Sequence, residues 1–382
     1  MNKLVFYFYL FFIFNITYLH AREEYLIPFF IDCVGSGFTG VSKNTNSRNL
    51  FFNPAFINKS EGFSIIDLSF AYSKIINEIY SDPDSLKQKI MDALGGKESY
   101  GYINLSGPIF INFRIENIQF SVFHYFIDTF RVYYSDNPSP DVYADVRFND
   151  NIGVGGGVSF PVPVYIFGSK WEEAYIGASL FVFQRVKAVN KQLGFSEISG
   201  MDNPLSFLND KLNPGRALSF TFHTGFFYSY ENLTFGVSIY NLLSFPMVYY
   251  PTQIPLMYKS NSSTEITSYF DHMPLDFAFG ITYSTKRIGA ISLYFAKDFK
   301  FSIEFFEITD TENYPNFFDK IRIGIETTLA NIIKLRMGLF HRNMTFGIGY
   351  DIWIFKINAA YWSEKVGNNK ANNLGFSLSI DL

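Results

Sequence analysis

The sequence predicts an all-β fold, a transmembrane antiparallel up-and-down β-barrel of about 14 strands. In the final segment, apolar residues occupy every second position and share one face, and small or polar residues occupy the other: Leu374, Phe376, Leu378, Ile380 and Leu382. A period of two is typical of a strand with one apolar side and one polar side. The composition agrees, with 20% aromatic but only 17% charged residues, where soluble domains carry about 25% charged residues. After the first twenty positions there is no apolar run of about 20 residues, which a membrane-spanning helix needs.

The first 21 residues have the pattern of a secretory signal peptide. Lys3 precedes an apolar stretch from Leu4 to Phe14, and Leu19-His20-Ala21 resembles a cleavage site. A membrane anchor is the alternative, but the apolar stretch is short for one. We therefore expect residues 1–21 to be removed, and we expect the protein to reach the bacterial outer membrane.

Residues 22–61 do not alternate and are predicted to form an irregular segment that ends in a turn at Asn53-Pro54. This segment could be a tail beneath the barrel or a plug (hatch) folded into the lumen. Its apolar residues favour burial and include Leu50, Phe51, Phe52 and Phe56. The barrel itself is predicted to span residues 62–382.

Alternation and turn signals predict the individual strands. They lie at about 62–73, 101–115, 118–134, 151–166, 174–188, 217–229, 233–242, 274–284, 289–297, 319–329, 332–340, 343–350, 353–362 and 373–382. If both termini are periplasmic, the long connections lie at the outer end, as barrels of this kind require. These outer loops are predicted at about 74–100, 135–150, 189–216, 243–273, 298–318 and 363–372, and only His341-Arg342 is short.

Two outer loops are predicted to contain short helices. Each helix begins with a proline in its first turn, after Asp82 or after Asn203. The apolar faces carry Leu86, Ile90 and Leu94 in the first helix, and Leu205 and Leu208 in the second. Such a face needs an apolar contact, which could be a neighbouring loop or a hydrophobic ligand.

Charged residues of the last strands fall on the face opposite the apolar one and are therefore expected in the lumen. They are Arg322, Glu326, Lys334, Arg336 and Lys356. Such a patch could bind a carboxylate or phosphate group. Alternatively, these residues could pair with one another or with the plug.

The sequence gives no sign of an enzyme. The five histidines are dispersed, no metal-ligand spacing occurs, and no cofactor is expected. Ser219 and His223 share a strand face, but four residues separate them by about 13 Å along a strand. The net charge of -4 and the scattered basic residues give no reason to expect nucleic acid.

The segment from Ser47 to Ala55 resembles the run that leads into Asn-Pro-Ala in FadL-type outer-membrane transporters of long-chain fatty acids and other hydrophobic compounds. The resemblance implies that the N-terminal segment is a hatch with Asn53, Pro54 and Ala55 in its turn. It also implies that the outer-loop helices form a ligand groove, and that the ligand passes through the barrel wall.

The same short motif occurs in PorV-type and TraF-like barrels, which bind proteins. The expected function is therefore uptake of fatty acids or other hydrophobic small molecules by a monomer in contact with outer-membrane lipid. The alternatives are a surface-exposed interaction protein (a secretion-shuttle component, adhesin or antigen) and a general porin.

Overall fold

The computed structural model describes residues 30–60, 63–74, 92–93, 99–135, 141–170, 172–194, 214–251, 269–285, 296–311, 314–366 and 369–381. The predicted signal peptide, residues 1–21, lies outside these ranges. So do the five apolar residues predicted to form a ligand groove, which are Leu86, Ile90, Leu94, Leu205 and Leu208.

The described residues contain sixteen strands, all paired antiparallel. They are β1 (Phe63–Ser73), β2 (Ser99–Ile115), β3 (Ile118–Ser135), β4 (Asp141–Pro161), β5 (Glu172–Gly194), β6 (Gly215–Tyr230), β7 (Leu233–Ser244), β8 (Met247–Pro251), β9 (Tyr269–Asp271), β10 (Asp276–Thr285), β11 (Ala296–Phe305), β12 (Ile321–Leu329), β13 (Ile333–Phe340), β14 (Asn343–Ile352), β15 (Phe355–Val366) and β16 (Asn369–Asp381).

Fourteen of these described strands form a closed ring. Neighbours in sequence pair throughout, β7 pairs with β10, and β16 pairs with β1 to close the ring. The short strands β8 and β9 extend from the edge of β6 and lie outside the ring order. The predicted up-and-down barrel of about 14 strands is therefore confirmed.

Several of the predicted outer loops are wrong in their bounds, because they contain strand residues. β5 runs to Gly194, within the predicted loop 189–216, and β8 and β9 lie within the predicted loop 243–273. Residues 298–305 belong to β11, since Phe301, Ile303 and Phe305 continue the apolar alternation. β3 and β4 stay paired as far as Ser135 and Asp141, and β15 and β16 as far as Val366 and Asn369. Residues 363–372 carry polar residues on both faces, so their pattern indicates a loop although the backbone ladder continues. At the start of β4, by contrast, Val142, Ala144, Val146 and Phe148 do alternate with more polar residues, so this part of the strand has a sequence signal that the predicted loop overlooks.

The outer face of the ring is apolar, as a membrane-spanning barrel requires. On β10 the side chains of Phe277, Phe279, Ile281 and Tyr283 are exposed, whereas the alternating residues Ala278, Gly280 and Thr282 are buried. The other strands follow the same alternation, for example Met344, Phe346, Ile348 and Tyr350 on β14. Among the described residues, no helix is long and apolar enough to cross a membrane.

Residues 30–60, here called the inner segment, lie inside the ring. The segment contains helix α1 (Ile31–Gly35), a 3₁₀ turn (Asn46–Arg48), helix α2 (Asn49–Phe52) and a 3₁₀ helix (Pro54–Lys59). Val34, Leu50, Phe51 and Phe52 are completely buried. Because these short elements pack on the inward faces of strands from both halves of the barrel, the hydrophobic core of the molecule lies within the lumen.

Candidate functional site

The turn Asn53-Pro54-Ala55 is fixed by hydrogen bonds of the Asn53 amide. Its Oδ1 accepts a bond from the Ala55 N–H at 3.1 Å and so caps the 3₁₀ helix that follows. Its Nδ2 donates to the carbonyl of Val41 at 2.7 Å and to the carbonyl of Phe226 on β6 at 3.2 Å. One side chain therefore shapes the turn and attaches it to the wall.

Glycines on the wall allow the backbone of the inner segment to approach closely. A Cβ atom on Gly177 would lie 2.3 Å from the Pro54 carbonyl carbon, and one on Gly236 would lie 2.1 Å from the Val41 oxygen. A Cβ atom on Gly338 would lie 2.2 Å from the Gly37 nitrogen. The inner segment therefore packs directly on the backbone of β5, β7 and β13 at these glycine positions.

A buried carboxylate, Glu304 on β11, holds the middle of the inner segment. Its two oxygens accept hydrogen bonds from the N–H groups of Gly40 and Ser42, each at 2.8 Å, and from the Ser42 hydroxyl at 2.8 Å. The Ser42 hydroxyl also lies 2.8 Å from that of Thr282 on β10. Charge-assisted bonds of this kind are stronger than neutral ones, so Glu304 is a firm anchor for the segment.

An aromatic cluster lies between the inner segment and the wall formed by β2 to β5. We call Phe30, Phe51, Phe110, Phe123 and Phe181 the inner aromatic cluster, and all five are at most 2% exposed. The Phe51 ring centroid lies 4.7 Å from that of Phe181 and 5.4 Å from that of Phe123. The Phe110 ring lies 5.4 Å from that of Phe30. Such a cluster offers contacts suited to an aromatic ring or an acyl chain.

The register of the wall is irregular next to this cluster, within β2. On one side, the ladder with β3 jumps from the pair Ser106–Tyr125 to the pair Phe110–Phe123. On the other side, the ladder with β1 is irregular between Ser64 and Ser69. Residues 107–109, here called the wall gap, lie where β2 shifts register in both ladders, and Pro108 within it has no N–H to donate.

An ion-pair network joins the inner segment to the wall beside the gap. The Arg48 guanidinium lies 2.5 Å from Asp32 of the inner segment and 2.7 Å from Asp67 of β1. It also lies 4.7 Å from the centre of the Phe30 ring. Since Asp67 lies in the irregular stretch of β1, Arg48 links the wall gap, the inner aromatic cluster and α1.

Four of the five residues predicted as a lumenal charged patch line one polar cavity of about 100 Å³, which they share with the inner segment. Arg336 pairs with Glu326 at 3.0 Å, Lys334 pairs with Asp351 at 2.6 Å, and Lys356 pairs with Asp381. The predicted residues therefore do pair with one another or with their neighbours. The cavity lies at the end of the barrel where the short β14–β15 turn and the last residue of β16 are found.

The fifth patch residue, Arg322, lies elsewhere. Its guanidinium pairs with Glu307 at 3.0 Å, stacks on the Phe306 ring at 3.8 Å, and donates to the carbonyl of Phe38 at 3.2 Å. Burial by itself would raise the pKa of Glu307, which lies in the connection after β11, but the neighbouring Arg322 and His341 lower that pKa to about 2. This group therefore attaches a loop to the inner segment.

Ser219 and His223 do not meet in the folded barrel. The Ser219 hydroxyl donates to the carbonyl of Phe245 at 2.9 Å, whereas the His223 ring packs on Phe181 and Tyr240. No group of three residues suited to hold a metal ion occurs in the described part of the chain.

Comparison with solved structures identifies the class of barrel. The toluene transporter TodX of P. putida matches with a TM-score of 0.51 at 13% identity, over 94% of this chain and 99% of that one. A TodX deltaS2S3 mutant monoaromatic hydrocarbon channel matches with a TM-score of 0.52 at 11% identity, over 94% and 100%. The CymD monoaromatic hydrocarbon channel matches with a TM-score of 0.50 at 9% identity, over 94% and 99%.

These structures are FadL-type barrels, so the resemblance inferred from the sequence is confirmed at the level of the fold. They are transporters and channels rather than enzymes. No protein-family model matches the sequence, and no curated protein matches it.

Proposed function

We propose that the protein carries hydrophobic small molecules across the bacterial outer membrane without chemical change. One observation carries the proposal: the inner aromatic cluster lies directly behind the wall gap of β2. A hydrophobic molecule held by Phe30, Phe51 and Phe110 would need to move only past residues 107–109 to reach the wall of the barrel. Passage through the wall keeps such a molecule out of water for most of its path.

The solved structures support the class of ligand. They are a toluene transporter and monoaromatic hydrocarbon channels, and the inner aromatic cluster of this chain could pack on an aromatic ring. Rings of this kind also pack on an acyl chain, so we include long-chain fatty acids among the proposed ligands. The apolar outer face is suited to contact with membrane lipid, and we propose that the protein acts as a monomer.

The inner segment would act as a hatch within the predicted range of residues 22–61. Its contacts support this role, because Asn53, Glu304 and Arg48 hold it by hydrogen bonds and ion pairs rather than by a covalent link. Such contacts can break and re-form during passage. The outer-loop helices with Leu86, Ile90, Leu94, Leu205 and Leu208 are proposed as the first capture groove.

Two alternatives lead to different measurements. A general porin would show a large stable conductance, which the buried inner segment argues against. A surface interaction protein would co-purify with a protein partner in fixed stoichiometry. The length of β5 favours this second alternative, since its 23 residues exceed the roughly 9–11 that cross a bilayer.

Deleting Gly107 and Pro108 tests the proposed path. The deletion removes the two extra residues that β2 has relative to β3, so the ladder should close. We expect proteoliposomes that contain this variant to lose most of their uptake of labelled toluene and labelled dodecanoate. The matched control deletes Asn137 and Pro138, another residue-proline pair, in the connection between β3 and β4.

The control should take up both compounds as the unaltered protein does. Unchanged uptake after deletion of Gly107 and Pro108 would show that the gap is not the path. A lack of uptake by the unaltered protein would remove the transport proposal itself.

A further inference from the structure

The connection between β4 and β5 differs from the neighbouring turns at its end of the barrel. At this end, which is predicted to be periplasmic, two-residue turns join β2 to β3 and β6 to β7. The connection from β4 to β5 is longer, and we call its residues 162–170 the β4–β5 loop. The loop carries three consecutive apolar side chains that are each more than 60% exposed, namely Tyr165, Ile166 and Phe167.

The β4–β5 loop lies on the outward side of the barrel wall rather than beneath the lumen. By alternation with the exposed Ile176, the side chains of Glu172 and Ala174 face outward from β5, yet both are at most 6% exposed. The Phe167 ring lies 4.7 Å from the ring of Tyr230, which is the register partner of Glu172 on β6. The loop therefore packs against the outer surface of β5 and β6.

The carboxylate of Glu172 holds the loop in this position. It accepts hydrogen bonds from the backbone N–H groups of Ile166 at 2.6 Å, Phe167 at 2.8 Å and Ser169 at 2.9 Å. A carboxylate on the lipid-facing surface is unfavourable unless its oxygens are hydrogen-bonded, and the loop provides these bonds. Because the same bonds fix the backbone of Ile166 and Phe167, the loop presents both side chains in one arrangement.

The position of the loop along the barrel corresponds to the edge of the membrane. On the outward face of β4, exposed apolar side chains extend from Ile152 to Phe160. The next outward residue is Asp150, which pairs with His124 of β3 at 2.7 Å. The apolar stretch is close to the roughly 9–11 strand residues that cross a bilayer. The loop follows directly after this stretch, where aromatic side chains meet the membrane–water interface.

A second turn at the same end of the barrel also has exposed apolar side chains. Ile352 and Trp353 of the β14–β15 turn are 56% and 91% exposed. In the ring, four strands separate this turn from the β4–β5 loop in one direction and six in the other. A protein partner would contact one side of the ring, whereas a membrane surrounds it. Apolar side chains on both sides therefore favour lipid over a protein as the partner of this surface.

We propose that the β4–β5 loop inserts Tyr165, Ile166 and Phe167 into the periplasmic leaflet of the outer membrane and fixes the depth of this side of the barrel. The partner is phospholipid, at the boundary between head groups and acyl chains. The inference goes beyond the proposed function and does not depend on which molecule is carried. It identifies which part of the 23-residue strand β5 crosses the membrane, namely the part next to the loop, so that the end at Gly194 extends beyond the bilayer.

The accessibility of a spin label measures the depth of the loop. The label is attached to Ile166→Cys in the full chain, with Cys33→Ser to remove the free cysteine, and the protein is reconstituted into vesicles of phosphatidylethanolamine and phosphatidylglycerol. Molecular oxygen concentrates in the bilayer, whereas a water-soluble nickel complex stays outside it. We expect oxygen to reach the label at position 166 and the nickel complex to be largely excluded. A label on Asn232→Cys, an exposed position in the polar β6–β7 turn, should be reached by the nickel complex.

Glu172→Ala tests what holds the loop. In this variant we expect nickel accessibility at position 166 to rise towards that at position 232. The matched control is Glu173→Ala, which removes the same charge one position further on. Glu173 pairs with Lys59 at 2.5 Å, and its side chain is about half exposed, so the control should leave the label at position 166 in the bilayer. Heat-dependent gel mobility checks that each variant keeps its folded ring.

Three other outcomes would contradict the proposal or part of it. Equal nickel accessibility at positions 166 and 232 would place the loop in water and overturn the proposal, and it would leave the transport proposal untouched. A label at position 166 that neither oxygen nor nickel reaches would also overturn it, because a second copy of the chain would then cover the loop. Unchanged accessibility in a folded Glu172→Ala variant would show that Glu172 does not hold the loop. The comparison of positions 166 and 232 needs no change at Glu172, so it decides the proposal even if that variant does not fold.

Discussion

Gly37 is the residue at which the inner segment depends most strictly on the absence of a side chain. It has a positive φ of 69°, a conformation that costs a residue with a Cβ atom about 1–2 kcal/mol. A Cβ atom would also lie 2.1 Å from the Ile323 oxygen and 2.8 Å from the Leu339 oxygen. Both atoms belong to the backbone of the wall, which cannot move aside without disturbing the β12–β13 ladder.

Gly37→Ala should therefore loosen the inner segment without opening the ring. We expect faster hydrogen exchange of residues 30–60, while the folded barrel keeps its characteristic mobility on unheated gels. Gly168→Ala is the control, since Gly168 has nearly the same φ, 68°, but nothing within 4 Å of its added Cβ atom. Equal exchange in the two variants would mean that the close contact at Gly37 does not hold the segment.

The role of Asn53 in its turn could be predicted from the sequence, but the contact that Glu304 makes with the inner segment could not. The Asn53-Pro54 pair is a local turn signal, and the turn is present with Asn53 as its cap. Glu304 instead binds Gly40 across 264 positions of sequence, and nothing local to either residue indicates the other. A single sequence can therefore predict a cap or a turn, but not which wall carboxylate a distant backbone group will find.

At the scale of the strand, period-two alternation predicts structure only where one face meets an apolar medium. β10 and β14 alternate cleanly and lie close to their predicted positions. The ends of β15 and β16 continue past the alternating part, because backbone pairing persists after the requirement for an apolar face has ended. The wall gap has a sequence signal, Gly107-Pro108 inside a predicted strand, but only the observed pairing shows that two ladders shift register there.

Whether the inner segment must move during passage can be tested by linking it to the wall with a disulfide. The hydroxyls of Ser42 and Thr282 lie 2.8 Å apart, so paired cysteines at these positions should form a disulfide once the buried Cys33 is replaced by serine. If the segment must move during passage, the oxidised double variant should lose uptake of labelled toluene, and a reductant should restore it.

Each single cysteine variant serves as a control for the disulfide and should transport in both redox states. Full uptake by the oxidised double variant would contradict a moving hatch. The ligand would then have to pass between the wall and a stationary segment.

At the scale of the whole molecule, the ring and the inner segment contribute to the structure in different ways. The ring closes through its own antiparallel ladders, whereas the inner segment contributes much of the buried apolar surface inside it. Barrels of eight strands are filled by their own side chains, and those of 16–18 strands leave an aqueous channel. A ring of fourteen with glycines on its inner face is therefore wide enough to need a filling.

This argument predicts the electrical behaviour of the molecule. In planar bilayers, the full chain should show little steady conductance, because the inner segment occupies the lumen with residues such as Val34, Leu50 and Phe52, which are completely buried. A chain lacking residues 30–60 should conduct ions strongly and without selectivity for hydrophobic compounds.

The gel mobility of the shortened chain must first show that its ring has formed. A large stable conductance of the full chain would instead favour the general porin, and an equally small conductance of both chains would mean that the strands alone close the lumen.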